Sequence, residues 1–332
     1  MTVQPSGGQA SGGQASEGQA PILTVTLNPA LDLSTAADEV RPELKLRCDK
    51  PAADPGGGGI NVSRAIGHMG GRSTAMVALG GATGTRIADM LKADGLSVVR
   101  LTAPGETRQS LAVTDRLTGQ QYRFVMPGPE WHKTHVADMT QAIAEGASPG
   151  GWVVVSGSNP PGVPAGFEQM LTVRLKNSGA KLLVDTSGEA LRVLAGSSTP
   201  VDVLRMDSHE AEELAGRALP RREDSAGFAA GLVRDGAARS VIVARGADGS
   251  VIAGPDGAWH AAAAKVKVVS AVGAGDSFVA GFVLAMARGR PAPEALALGA
   301  AAASAAVMTP ATDLCRAEDV DRFYAERAVT RL

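Results

Sequence analysis

Short, β-rich apolar runs alternate with stretches of helical periodicity along most of this 332-residue chain, and that alternation restricts the fold more than any other feature. The runs are Ile22–Leu27, Thr74–Leu79, Trp152–Ser156, Lys181–Asp185, Val201–Leu204 and Ser240–Ala244. Helical patterns such as Thr83–Asp94, Pro164–Ser178 and Asp224–Asp235 lie between most of them. Strand then helix, repeated, predicts an α/β fold with a mainly parallel sheet covered by helices on both faces. After Ala271 the chain reads as mostly helical, and the Ala-rich stretch Ala295–Met308 is predicted as a buried helix lying close on the sheet. Aromatic residues make up only 3% of the chain, so Ala, Val and Leu must build its core.

Two regions break the rhythm. Residues 32–55 and 107–126 alternate polar and apolar side chains, as in Ser110–Thr114 and Gln121–Val125. They predict antiparallel strands forming a small second sheet, placed to act as a lid or to pair with another subunit. Residues 6–20 are a tandem pentapeptide repeat of Ser, Gly, Gln and Ala. Such a segment buries too little apolar area to offset the cost of ordering a chain, so residues 1–20 are expected to form a disordered tail and residues 21–332 the folded unit. A formal net charge of −2 argues against a nucleic-acid or membrane-surface partner. No secretory signal and no apolar segment of spanning length are visible, so a cytoplasmic location is expected. Cys48 and Cys315 lack metal-ligand spacing and read as free thiols of a reducing compartment. His132 and His135 fall in a polar stretch, expected to be a solvated loop rather than a metal site.

The residues that carry chemistry cluster around glycine. Val272-Gly273-Ala274-Gly275-Asp276-Ser277 opens an apolar helical pattern. Backbone N–H groups at such a helix start converge on one point, and the helix dipole adds to their field. That pocket suits a transferring phosphoryl group, and Asp276 can take a proton from an attacking hydroxyl. The plainer alternative is an Asp N-cap behind a glycine turn. A second run, Pro55-Gly56-Gly57-Gly58-Gly59-Ile60-Asn61, also leads into a helical pattern and lets the backbone approach a ligand closely. Asn61 is suited to a sugar hydroxyl. Neither run has the spacing of a Walker A or dinucleotide fingerprint. Lys45, Arg108 and Arg123 lie in the expected lid; arginine grips phosphate through its planar fork. Asp32, just after the first strand, is placed to hold sugar hydroxyls.

The two glycine motifs, in this order and separation, resemble the paired signatures of the PfkB (ribokinase-like) carbohydrate kinases over residue 21 to the end. Leu27-Asn28-Pro29-Ala30-Leu31-Asp32 resembles the branch that acts on phosphorylated sugars. Lys45-Leu46-Arg47-Cys48, Gln121–Gly128 and Ser156-Gly157-Ser158 resemble its 6-phosphofructokinase members. The resemblance implies a three-layer α/β/α domain with a lid. It implies ATP-dependent phosphorylation of fructose 6-phosphate at its C1 hydroxyl, with Asp276 as base and Gly273, Ala274 and Gly275 stabilising the moving group. Asp32, Lys45, Gly57, Gly58, Asn61, Arg108, Arg123 and Ser158 would line the sugar-phosphate site, with Lys45 and Arg108 on the 6-phosphate. Arg205, Asp207, Gly246 and Gly249 would border ATP, and Glu210 with Asp207 would hold Mg²⁺ through water. A homodimer through the lid sheet is also implied.

This chain departs from the pattern in three places. The expected Lys-Pro-Asn-x-x-Glu reads Arg205-Met206-Asp207-Ser208-His209-Glu210, which adds a negative charge beside the metal, there either to strengthen Mg²⁺ binding or to repel the nucleotide phosphates. A serine frequent at the nucleotide edge is Ala244. The loop that helps hold potassium in relatives reads Thr309-Pro310-Ala311-Thr312-Asp313, so potassium activation is not expected to carry over, although Ser270 and Val272 retain oxygens there. The alternatives are a kinase of tagatose 6-phosphate or fructose 1-phosphate, and, in another class, a non-catalytic sugar-phosphate-binding protein. Gly58 favours fructose 6-phosphate, because lysine typically stands there in the other two kinases.

Overall fold

A computed structural model describes residues 18–310 and 313–332. In chain order the strands are β1 (Ile22–Thr26), β2 (Ala30–Ala37), β3 (Ala52–Gly56), β4 (Thr74–Leu79), β5 (Ser97–Thr102), β6 (Arg108–Asp115), β7 (Gln121–Val125), β8 (Trp152–Ser156), β9 (Lys181–Asp185), β10 (Val201–Asp207), β11 (Ala238–Ala244), β12 (Ser250–Gly254), β13 (Gly257–Ala261) and β14 (Val329–Arg331). The helices are α1 (Gly58–His68), α2 (Gly81–Ala93), α3 (Lys133–Gly146), α4 (Phe167–Leu175), α5 (Gly188–Ala195), α6 (Ser208–Ala215), α7 (Arg222–Asp235), α8 (Ala274–Ala287), α9 (Ala292–Ala306) and α10 (Ala317–Ala325).

Among the described residues a ten-stranded sheet runs in the order β14-β13-β12-β11-β10-β9-β8-β1-β4-β5. From β11 to β5 every neighbouring pair is parallel, and β12, β13 and β14 add antiparallel strands at one edge. The central strands are apolar at nearly every position because both faces are covered. In β8, Trp152 and Val154 pack with α1, α8 and α9, while Val153 and Val155 pack with α3, α4 and α5. This is the expected three-layer arrangement. The β12–β13 hairpin, which precedes Ala271, was not singled out from the sequence, and the terminal strand β14 closes a region after Ala271 that is otherwise helical, as expected.

The smaller sheet has the order β3-β2-β6-β7. It overlaps segments 32–55 and 107–126, with β2 starting two residues earlier and β3 ending one later, and it is not antiparallel throughout: β2 and β6 run parallel, from Ala30 opposite Arg108 to Ala37 opposite Asp115. The reason is topological. Chain leaving β1 forms β2, and chain leaving β5 forms β6. Both parent strands end on the same edge of a parallel sheet, so both lid strands depart in the same direction. Of the amino-terminal repeat, residues 1–17 lie outside the described residues. Just before Pro21, Gln19 donates to Arg72 O at 2.6 Å and Ala20 N–H to Ala287 O at 2.8 Å. Cys48 is exposed and Cys315 buried, and neither is bridged. No described helix is long and apolar enough to cross a membrane.

Helices α8 and α9 pack backbone against backbone. A side chain on Gly281 would put its Cβ 2.7 Å from Leu298 O, so the two backbones meet where only hydrogen fits. Gly281→Ala should therefore destabilise the fold by about 1–3 kcal/mol, as overpacking does, read from the midpoint of urea denaturation at unchanged m-value.

Candidate active site

The carboxyl edge of the parallel strands gathers the glycine runs. Gly57 caps α1 and Gly273 caps α8, the latter in a left-handed conformation (φ 77°) that favours glycine. Asp276 is thus not the helix cap. It sits in the first turn of α8 with its carboxylate unspent on the backbone, and Asn61 Nδ2 donates to Asp276 Oδ2 at 2.9 Å. The bond joins the two glycine-led helices across 215 residues of chain.

Burial lifts the Asp276 carboxyl from 3.8 to about 6; the Asn61 bond opposes that shift, nearby Asp185 adds to it, and Arg205 and Ser156 oppose it. Asp276 keeps partial contact with solvent but is crowded by protein on most sides. A carboxylate in this range beside a positive helix end is suited to accept a proton near neutral pH.

Arg205 Nη1 pairs with Asp185 Oδ1 at 3.0 Å, and Ser156 Oγ donates to Asp185 Oδ2 at 3.3 Å. The Arg205 side chain is mostly buried, its Nε has no partner, and its guanidinium lies 3.3 Å from where a Cβ on Gly275 would be. Asp185 was not singled out from sequence as a functional residue. The signal was present: an acidic residue closing an apolar strand at the carboxyl edge of a parallel sheet.

A cavity of about 1030 Å³ opens beside this cluster, and Arg205, Asp207, Gly246, Gly249, Ala274 and Gly275 all line it. Every residue expected on the nucleotide side except Glu210 therefore borders one space. Asp207 caps α6 by accepting from Glu210 N–H at 2.8 Å, and Glu210 Oε2 accepts from Asp207 N–H at 2.8 Å. Each carboxylate keeps one oxygen outside this reciprocal pair. Burial raises the Glu210 carboxyl, and the charges of Asp207 and Asp185 push the same way. Among the described residues no three acidic, His or Cys side chains are grouped to hold a metal directly. The donor set fits Mg²⁺, which commonly takes one or two carboxylates, waters and substrate phosphates.

On the lid side, Arg108 donates to Asn28 O from Nε (3.3 Å) and Nη2 (3.1 Å) and to Met126 O from Nη1 (3.3 Å), leaving two N–H groups free. Asn28 Nδ2 in turn donates to Ser158 Oγ at 3.3 Å. Asp32 pairs in register with Ser110 on β6 and Asp54 on β3. Burial raises its carboxyl, opposed by Arg108, a Ser110 hydrogen bond and Arg123. Asp32, Arg108, Arg123 and Ser158 thus belong to one neighbourhood. Lys45 does not join it: the residue is exposed between β2 and β3 and makes no hydrogen bond or ion pair among the described residues. Gly58 abuts β8 so closely that a Cβ there would lie 2.8 Å from the Ser156 carbonyl carbon. In residues 309–313, the Thr309 hydroxyl donates within the protein, facing Ala306 O and Leu314 O at 2.8 Å, and Ala311 and Thr312 lie outside the described residues.

A cavity of nucleotide size, a proton acceptor and a glycine-led helix start at one sheet edge make a phosphoryl-transfer site of the carbohydrate-kinase class. Residues 26–319 match the pfkB family carbohydrate kinases, and the chain belongs to that family. It is 37% identical over 306 residues to the ATP-dependent 6-phosphofructokinase isozyme 2 of Mycobacterium tuberculosis (strain H37Rv), covering 91% of this chain and 88% of that one. Identity to the Escherichia coli K12 protein of the same name is 36% over 304 residues, covering 92% and 98%. The crystal structure of Escherichia coli phosphofructokinase-2 in complex with fructose-6-phosphate matches with a TM-score of 0.83 at 35% identity, covering 92% of this chain and 99% of that one.

Because Asp276 binds its proton more tightly in the folded protein than in the unfolded chain, its ionisation costs stability. That cost is absent below pH 3.8, grows as pH rises towards about 6 and is complete above it. Asp276→Asn should therefore stabilise the free protein at pH 7.5, by roughly 1–3 kcal/mol, with the gain shrinking as pH falls to 4. Denaturation of both proteins across this range checks it.

Proposed function

We propose that this protein transfers the γ-phosphoryl group of ATP to the C1 hydroxyl of fructose 6-phosphate, giving fructose 1,6-bisphosphate and ADP. The observation that carries the proposal is the free Asp276 carboxylate in the first turn of a glycine-led helix, beside a cavity large enough for a nucleotide. Similarity to proteins named 6-phosphofructokinase supports the choice of sugar. So does Gly58, whose contact with β8 leaves no room for the lysine expected in kinases of tagatose 6-phosphate or fructose 1-phosphate.

Asp276 takes the hydroxyl proton as the C1 oxygen bonds to the γ-phosphorus and the bridge to ADP breaks. Asn61 fixes the carboxylate so that one oxygen faces the substrate. N–H groups of Gly273, Ala274 and Gly275 meet the charge spreading over the phosphoryl oxygens. Arg205, held by Asp185, adds a fixed positive charge next to this cradle. Gly246 and Gly249 border the nucleotide. Magnesium bound with ATP neutralises triphosphate charge, and Glu210 and Asp207 would hold it through water with their remaining oxygens. Asp32, Gly57, Asn61, Arg123 and Ser158 orient the sugar, and the free N–H groups of Arg108 grip its 6-phosphate. Lys45 reaches that phosphate only with movement of its exposed segment.

We also propose a cytoplasmic homodimer joined through the lid. Phe124 (53% exposed) and Val125 (66%) stand on β7, whose outer edge is unpaired among the described residues. An apolar edge strand of this kind invites pairing with a second chain.

ADP release with Mg-ATP and fructose 6-phosphate, tagatose 6-phosphate or fructose 1-phosphate tests the substrate. Fructose 6-phosphate should be preferred, and Asp276→Asn should lower kcat by about 10²–10⁴-fold, the range for loss of a general base. Sugar binding without ADP from any of the three would leave a non-catalytic binding protein. Arg108→Ala should raise KM for the sugar phosphate by about tenfold or more, as expected when a charge-assisted phosphate contact is lost, while KM for ATP stays within about twofold.

A further inference from the structure

The turn between β11 and β12, Arg245-Gly246-Ala247-Asp248-Gly249, forms one wall of the nucleotide cavity and is held by an ion-pair network outside that cavity. Arg245 Nε donates to Asp248 Oδ2 at 2.9 Å. The same guanidinium donates to Leu219 O and Pro220 O, each at 2.9 Å, and to Ser225 Oγ. Arg222 Nε, from the first turn of α7, donates to both Asp248 carboxylate oxygens at 3.0 and 3.1 Å. His260 Nε2 donates to Asp248 O at 2.6 Å. The Arg245 side chain is only 10% exposed, and hydrogen bonds from Arg222 and then Arg245 lower the Asp248 carboxyl to about 2, so Asp248 is ionised near neutral pH.

The anchor points show what the network fixes. Leu219 and Pro220 lie in the link that follows α6, and Leu219 N–H donates to Glu212 Oε1 at 2.8 Å. Helix α6 is capped by Asp207 and carries Ser208 and His209, and all three line the same cavity. Arg245 therefore ties the Gly246–Gly249 wall to the helix that presents the acidic residues. We infer that Arg245, Asp248 and Arg222 are positioning residues that set the width of the nucleotide cavity before ATP arrives. None of the three need touch the nucleotide. They remove the ordering cost that a free glycine turn would otherwise impose on binding.

The inference rests on the nucleotide assignment of the cavity, so the test measures nucleotide binding directly. Calorimetric titration with Mg-ATP, without sugar, compares the native protein with Asp248→Asn, Arg222→Gln and the double variant. The dissociation constant should rise about five- to thirtyfold in Asp248→Asn, the scale of ordering a short turn. The double variant should bind no more weakly than Asp248→Asn alone, because both changes break one unit. Asp248→Glu, which keeps the charge, should recover part of the loss. KM for the sugar phosphate should stay within about twofold in all variants. Unchanged nucleotide affinity with a lowered melting temperature would overturn the inference and leave the network as a purely structural clasp, as would equal losses for nucleotide and sugar. If the native protein binds no Mg-ATP, the nucleotide reading of the cavity falls first and this inference falls with it.

Discussion

One hydrogen bond organises the site: Asn61 Nδ2 to Asp276 Oδ2 at 2.9 Å. It requires α1 and α8 to bring their amino ends to the same point, and each helix achieves this by starting from glycine. A parallel sheet supplies the geometry, since every strand delivers its following loop and helix start to one edge. The positive ends of two helix dipoles then face a single carboxylate. Alone, those dipoles and Asn61 would keep Asp276 strongly acidic. Burial and the Asp185 charge pull the other way and win, which leaves a base poised at about 6 rather than a spent counter-ion.

The same opposition of charges explains the neighbouring residues. Asp185, Asp207 and Glu210 crowd the nucleotide side with negative charge, and Arg205 is the buried cation set among them, paired with Asp185 at 3.0 Å. A buried guanidinium with an unpartnered Nε is expensive to maintain unless a ligand completes it. Triphosphate oxygens are suited to do so, and under the proposed reading an accompanying divalent metal would offset the carboxylates.

Much of this was legible in the sequence because it is local. Both glycine runs, the helices they open and the alternation of strand and helix are contiguous patterns, and each element they indicated is present within a few residues. Asp276 could be singled out as a candidate for the same reason, although its position inside the first turn, rather than at the cap, needed the backbone. What the sequence left unread is held through space. The partnership of Asn61 with Asp276, the role of Asp185 and the clasp of Arg222, Arg245 and Asp248 join residues from separate elements. The lid strands were visible as alternating patterns, but the parallel pairing of β2 with β6 follows from where β1 and β5 end, which periodicity alone does not encode.

The substitution of Asp207 where the resemblance leads one to expect Asn separates structure from charge. As a helix cap the two residues are close to equivalent, and Asp207 makes the full reciprocal pair with Glu210. The local fold therefore has no reason to resist the change. Electrostatically it is not neutral, since it adds a carboxylate within reach of Glu210 and raises the energy of that cluster without a cation. A protein that only held a sugar phosphate would gain nothing from such a cluster and would be more stable without it. Under the proposed reading, in which the nucleotide arrives with a divalent metal, that cost would be recovered on binding. The departure from the family pattern thus leaves the helix cap intact and changes only the charge beside Glu210.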